Sequence, residues 1–199
     1  METSELYEQI YNCRNFLNEF YKRMIEIFRF IKSKSKYQKS SSAWNRFNYY
    51  EDSLSLKKCD WINGLQVPIF EYLINKIGYR IRLEILCLIQ DNSYSEKTCE
   101  GQLLFLFTCQ KDNLCDWPSW INPQDNEWIS KALNDTYIVP RNEDEKLGHI
   151  ESFFLAHAFP LESFFSQEKI NASLKKINRI ILDKTKRYCG VEIDDLFNG

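Results

Sequence analysis

Apolar residues open the chain with a strict four-three spacing that lasts for nearly its first thirty positions. Alternating steps of four and three keep one face of a helix turned toward a partner, as in coiled coils and helical bundles. The pattern predicts a long N-terminal helix over residues 1–35, in which the roughly 28 residues that carry the stripe span about 42 Å at 1.5 Å per residue. The stripe consists of Leu6, Ile10, Cys13, Leu17, Phe20, Met24, Ile27 and Ile31.

A second stripe with the same period lies near the other end of the chain. Ile170, Leu174, Ile177 and Ile181 predict a C-terminal helix over residues 166–189. The acidic residues 190–199 that follow are predicted to be a frayed tail, as chain termini often are. A docking peptide, or an intramolecular cover for a basic stretch, is the alternative for this tail.

Alternating apolar and polar residues predict strands in the middle of the chain. Residues 79–89 are apolar on one face throughout, and residues 103–109 are apolar on nearly both faces. A strand buried on both faces usually lies in the middle of a sheet. Residues 137–139 predict a short strand, whereas residues 67–77 suit a helix slightly better and residues 150–159 suit either structure.

These elements predict an α+β fold, with an antiparallel sheet of about four to five strands bracketed by long N-terminal and C-terminal helices. A length of 199 residues fits one domain over 1–199, with a sheet-containing core over 43–160. We expect the two terminal helices to pack together on the sheet, which would bury the first stripe within one chain. A homodimer formed through the N-terminal helix is the alternative.

Composition excludes some classes of protein. The formal net charge of −2 gives the whole chain no general attraction for nucleic acid, and the longest apolar runs are too short to span a bilayer, so no membrane is expected as partner. Seven cysteines without a C-x-x-C pair predict reduced thiols and a cytoplasmic location.

The sequence carries no catalytic motif. Phosphate-binding glycine loops are not expected from only six glycines. We therefore assign no catalytic residue, no cofactor and no metal ligand. A metal-dependent hydrolase or nuclease is kept as an alternative, although an ion pair with a neighbouring arginine explains Glu84 more simply. Its candidate ligands would be Asp52, Asp60, Glu84 and His149.

Tryptophans mark one candidate binding site. Trp117, Trp120 and Trp128 lie close together in the sequence, and aromatic residues of this kind are common hot spots of protein interfaces. We predict that they contact a protein partner, with attachment of a loop to the core as the alternative.

A basic and aromatic stretch over residues 32–50 marks a second candidate site. Lysine and arginine bind phosphate while aromatic rings stack on bases, so the stretch suits nucleic acid. A solvated loop followed by an aromatic core strand explains the same composition more simply. The candidate contacts are Lys34, Lys36, Lys39, Trp44 and Arg46.

The function predicted from these observations is a non-catalytic protein-interaction module, such as an inhibitor, an immunity protein, an antitoxin or an adaptor. The surplus of aromatic residues, 15% of the chain, and the long helix favour this class. A nucleic-acid-binding protein is the second class, and the metal-dependent hydrolase is the third.

Overall fold

The computed structural model describes residues 3–37, 65–74, 78–88, 101–111, 126–141 and 152–198. Its helices are α1 (Thr3–Lys34), α2 (Asn126–Asn134) and α3 (Gln167–Cys189), with a 3-10 turn at Leu161–Phe164. Its strands are β1 (Leu65–Ile74), β2 (Tyr79–Leu88), β3 (Gln102–Lys111), β4 (Tyr137–Arg141) and β5 (Ser152–Pro160). The architecture is therefore α+β, with long helices at both ends of the chain and the sheet between them.

The described strands form one antiparallel sheet in the order β1-β2-β3-β5-β4. Strand β3 lies at its centre, and every residue from 103 to 110 is buried. This confirms the expectation that a strand apolar on both faces lies in the middle of the sheet. The five strands also agree with the predicted number.

Different helices cover the two faces of the sheet. On one face, Phe105 and Phe107 of β3 share a buried cluster with Ile27 of α1 and Ile177 of α3. On the other face, the alternate β3 residues Leu104 and Leu106 form a smaller cluster with residues that include Ala132 of α2. The prediction that both terminal helices pack on the sheet is thus confirmed for the parts of those helices that are buried.

Two segments with an ambiguous pattern are strands. Residues 67–77 suit a helix slightly better by their spacing, but residues 65–74 pair along β2, with an irregularity in register between Pro68 and Phe70. The helical interpretation was wrong because the ladder with β2 decides the structure of a short apolar run. Residues 152–160, which suited either state, pair with both β3 and β4.

Capping residues define both ends of α3. The Ser166 hydroxyl accepts a hydrogen bond from the Lys169 amide at 3.2 Å, as expected of a residue preceding a helix. Gly190 has φ 65°, and its amide donates to the Lys186 carbonyl at 3.1 Å. The left-handed conformation favours glycine there. The predicted range 166–189 is confirmed to within one residue.

The prediction of a frayed tail is wrong for residues 191–198. Leu196 is fully buried, and Val191 and Phe197 are also buried. Ser35, just after α1, forms an isolated antiparallel bridge with Phe197. Apolar side chains thus hold this terminus to the domain, although its charges suggested a solvated end.

Hydrogen bonds fix the tail in one register. The Lys36 amide donates to the Leu196 carbonyl at 2.9 Å, and the Asn198 amide donates to the Lys34 carbonyl at 2.7 Å. On the other side, Asn178 of α3 accepts from the Leu196 amide at 2.8 Å and donates to the Asp195 carboxylate at 2.8 Å. The tail therefore joins the C-terminal end of α1 to the middle of α3.

Candidate docking surface on the N-terminal helix

Helix α1 consists of two parts with opposite burial. In the packed half, residues 20–34, Met24 is 1% exposed and Ile31 is 0% exposed. In the exposed half, residues 5–17, every residue is exposed; Ile10 is 56% and Phe16 is 71% exposed. The same apolar stripe therefore begins in solvent and ends in the core.

The length of α1 explains this division. Its 32 residues make a helix of about 48 Å, whereas the ten-residue strands β1, β2 and β3 span about 33 Å each. Even if α1 ran along the strands, they would leave about 15 Å of the helix uncovered. The prediction that the domain buries the stripe is therefore right for the packed half and wrong for the exposed half.

The stripe points the same way in both halves. Steps of four and three residues keep the apolar positions on one side of a helix, so Leu6, Ile10 and Leu17 face in the same direction as Met24 and Ile31. The apolar side of the exposed half therefore faces the same direction as that of the packed half, but it lies beyond the edge of the sheet. This geometry leaves a helical face that is open to a second protein element.

An arginine marks the point where α1 meets the rest of the domain. Arg23 donates from Nη2 to the Phe165 carbonyl at 3.0 Å and from Nη1 to the Glu26 carboxylate at 2.9 Å. Phe165 lies between the 3-10 turn and α3, and its side chain is 57% exposed. An exposed aromatic residue therefore lies where Arg23 joins the packed half of α1 to the segment before α3.

Aromatic rings extend the apolar surface of the exposed half. Tyr7 is 69% exposed and Tyr11 is 64% exposed. With about 200 Å² for each aromatic side chain and less for each aliphatic one, the exposed large apolar residues of this half amount to roughly 600 Å². A patch of this size is at the upper end for a monomeric protein and usually marks an interaction site.

No protein family, no curated protein and no solved structure matches this chain. No helix in the described part of the chain is long and apolar enough to cross a membrane. The function is therefore inferred from the geometry of the chain.

The structure does not place the tryptophan site. Trp117 and Trp120 lie outside the described residues. Trp128 lies in helix α2, but its side chain is not among those that the structure describes. Partner binding by these tryptophans stays a prediction.

The basic stretch is described only at its start. The Lys34 ammonium group lies 5.6 Å from the centre of the Phe30 ring. The Lys36 ammonium group lies 3.8 Å from the Asp195 carboxylate of the tail. This contact agrees with the alternative that the tail covers part of the stretch. Nucleic-acid binding stays a prediction, because Lys39, Trp44 and Arg46 lie outside the described residues.

Of the four candidate metal ligands, Glu84 lies among the residues that the structure describes. Glu84 of β2 is paired with Arg82 on the same strand, as the simpler interpretation expected, but it is buried and does not lie on a solvated sheet face. Asp52, Asp60 and His149 lie outside the described residues. Among residues that the structure describes, no three His, Cys, Asp or Glu side chains are grouped as a metal ion would require.

His157 is a core residue at the edge of the aromatic cluster. It is 8% exposed, and its ring packs edge-on against Phe159 at 4.7 Å between centroids. Its Nδ1 lies 2.8 Å from the Thr136 hydroxyl. Burial and the positive charge of Lys176 lower the pKa of His157 to about 4, against an opposing effect of Asp135. The imidazole is therefore neutral at pH 7 and has a structural role.

Two thiols meet between β3 and α3. Cys109 is fully buried, and its thiol interacts with that of Cys189 in the last turn of α3. This interaction, together with burial, raises the pKa of Cys109 well above its usual range, and the same interaction lowers the pKa of Cys189. Cys109 and Cys189 are far apart in the chain, so the spacing of the cysteines provided no signal for this pair.

The sequence left open whether the stripe of α1 is covered within one chain or by a second copy, and did not single out the exposed half. Its signal was present in the period of the stripe, but burial inside one domain explained that period equally well. Only the position of the sheet separates the residues before Leu17 from those after Phe20.

Proposed function

We propose that this chain is a non-catalytic protein-interaction module that binds a protein through the exposed half of α1. It would belong to the class that includes inhibitors, immunity proteins, antitoxins and adaptors. The observation that carries the proposal is the change of burial along one apolar stripe, from 56% exposure at Ile10 to 2% at Ile27.

The energetics of a helix support this proposal. Isolated helices shorter than about 12–15 residues are marginal in water, because their stability comes mostly from packing of an apolar face. The exposed half has this length and lacks that packing. Covering a single Leu, Ile or Phe side chain contributes about 1.5–3 kcal/mol, so a partner would stabilise both the helix and the complex.

A cytoplasmic location belongs to the same proposal. The cysteines that the structure describes, Cys13, Cys87, Cys109 and Cys189, are not joined in disulfides. Reduced thiols are typical of proteins in a reducing compartment. A partner would then be sought among cytoplasmic proteins.

Two variants with the same added charge test the proposed surface. Ile10→Asp places a carboxylate in the stripe, whereas Asn15→Asp places one on the opposite side of the same helix. The wild type, immobilised as the full chain, is expected to retain a protein in stoichiometric amount from a lysate of the cells that produce it. Asn15→Asp should retain the same protein, and Ile10→Asp should lose at least nine-tenths of it.

Circular dichroism and thermal unfolding are the control for folding. Both substituted residues are exposed, so both variants should melt close to the wild type. Capture of the same proteins by all three chains would overturn the proposed docking surface. If capture is lost when Trp117 and Trp120 are replaced by alanine, but not in Ile10→Asp, the binding site is formed by the tryptophans instead.

A further inference from the structure

We propose that the partner of the exposed half is the exposed half of a second copy of this chain, packed in antiparallel orientation. The inference rests on the proposed function, since it names the occupant of the same surface. Its arguments are the symmetry of the stripe, the position of the domain beside it and the area available.

The stripe is complementary to itself when it is reversed. With the twofold axis between Tyr11 and Asn12, Leu6 lies opposite Leu17 of the partner subunit, and Ile10 lies opposite Cys13 of the partner subunit. Each apolar residue of the stripe thus meets another apolar residue, as in the layers of an antiparallel coiled coil. Antiparallel helices also place the opposite ends of their dipoles together.

The flanks of the stripe match in the same orientation. Tyr7 and Arg14 lie on one side of the stripe, two helical turns apart. Reversal brings Tyr7 beside the partner's Arg14, where a guanidinium group can stack on the ring. The other flank brings Phe16 beside the partner's Gln9. No pair of like charges meets along these flanks.

The position of the domain selects the antiparallel orientation. In the packed half the stripe faces the sheet, and in the exposed half it points in the same direction. A parallel partner helix would run along the stripe past Leu17 and into the space that the sheet occupies. An antiparallel partner helix leaves past Thr3, away from the sheet, so the two domains lie at opposite ends of the helix pair.

The area is sufficient for a stable contact. Without Tyr11, which points away from the stripe, two exposed halves with roughly 500 Å² of large apolar side chains each give about 1,000 Å², which is the least expected of a biological interface. The N-terminal end of each helix would also lie near Phe165 of the partner subunit, which is 57% exposed. An interface of this size predicts a dimer whose population depends on concentration.

Sedimentation velocity of the full chain under reducing conditions is the first test. The wild type is expected to move from the 23.9 kDa monomer toward twice that mass as concentration rises. Asn15→Asp should behave as the wild type, whereas Ile10→Asp should weaken association at least tenfold. A wild type that stays monomeric, or a dimer that Ile10→Asp does not weaken, would overturn the inference.

Disulfide trapping tests the orientation. In a Cys13→Ser background, Leu6→Cys and Leu17→Cys chains are prepared separately, mixed and treated with diamide, which accepts two electrons and two protons as two thiols join. The antiparallel register predicts cross-linked dimers in the mixture and few in either chain alone. Cross-linked dimers formed by either variant alone, in excess of those formed by the Cys13→Ser chain itself, would show a parallel pair and overturn the inference.

The two proposals fail in different ways. A monomeric wild type that still retains another protein through Ile10 would leave the proposed function intact and remove the second copy as partner. A monomer whose captured proteins do not depend on Ile10 would remove both. A dimer that depends on Ile10 and traps only in the mixture supports both.

Discussion

The two halves of α1 share one sequence pattern and have opposite surroundings. Ile10 and Ile27 occupy the same stripe of the same helix, yet one is 56% exposed and the other is 2% exposed. The pattern therefore indicates that one face of the helix is covered, but it does not identify the element that covers it. In the packed half the cover is the sheet and α3, and in the exposed half we propose that it is another protein chain.

Hydrogen exchange should show the largest contrast between the halves. In the monomeric Ile10→Asp variant, amides of residues 9–17 should exchange at least about 1,000-fold faster than those of residues 24–31, because opening free energies range from near zero to the global value. Mass spectrometry of peptides from each half would measure this ratio. Equal protection would show that residues 9–17 pack on their own chain.

Matched substitutions should separate the halves by stability. Ile27→Ala is expected to lower the free energy of unfolding by about 2–5 kcal/mol, because it leaves a cavity in the core. Ile10→Ala should change it by no more than about 0.5 kcal/mol at concentrations where the chain is monomeric, as exposed positions usually do. Urea unfolding of both variants gives the comparison, and similar losses in the two would contradict it.

Acid should weaken the core that holds the packed half. The ordinary pKa of histidine is 6.5, and that of buried His157 is lowered to about 4. Above pH 6.5 the ring is neutral in both states, so it contributes no pH dependence. Between pH 6.5 and about 4 only the unfolded chain takes up the proton. The free energy of unfolding therefore decreases as the pH is lowered, by up to about 3 kcal/mol.

A His157→Gln variant is the control for this effect. Its stability relative to wild type should improve as the pH falls through this range, because glutamine does not titrate. Unfolding curves at pH 7, 6 and 5 would measure the difference. A difference that is constant with pH would show that the pKa of His157 is not lowered in the folded protein.

The tail should have a smaller effect on the packed half. Leu196→Ala removes a fully buried side chain and is expected to cost about 2 kcal/mol, near the low end for a buried leucine, because a chain terminus can adjust. Protection of the last turn of α1 should fall as well. Glu192→Ala should change the melting temperature little, because the residue is exposed and its ion pair with Lys186 lies on the surface. Equal effects of the two would show that the tail is not anchored through Leu196.

Local pattern was sufficient where burial and pairing are uniform along an element. The alternation in residues 79–89 and the apolar run in residues 103–109 predicted β2 and β3, because a sheet face buried throughout leaves a regular period. Helix α3 was predicted to within one residue, since its period agrees with the capping residues Ser166 and Gly190.

Local pattern did not predict the structure of segments whose conformation depends on an element far away in the sequence. Residues 65–74 are a strand because β2 offers a ladder, although their spacing suits a helix slightly better. The tail carries acidic residues that suggest solvent, yet Leu196 and Phe197 find apolar surface beside α1 and α3. The Cys109 and Cys189 pair likewise depends on how α3 lies on the sheet.

By itself, the sequence determined the α+β class, the period of both terminal helices and the central position of β3. Those features follow from local periodicity, which every window of the chain carries. The tertiary structure decided where α1 leaves the sheet, where the tail binds and which thiols meet. These depend on the distance between segments far apart in sequence, and a helix longer than its sheet must expose one end whatever its pattern.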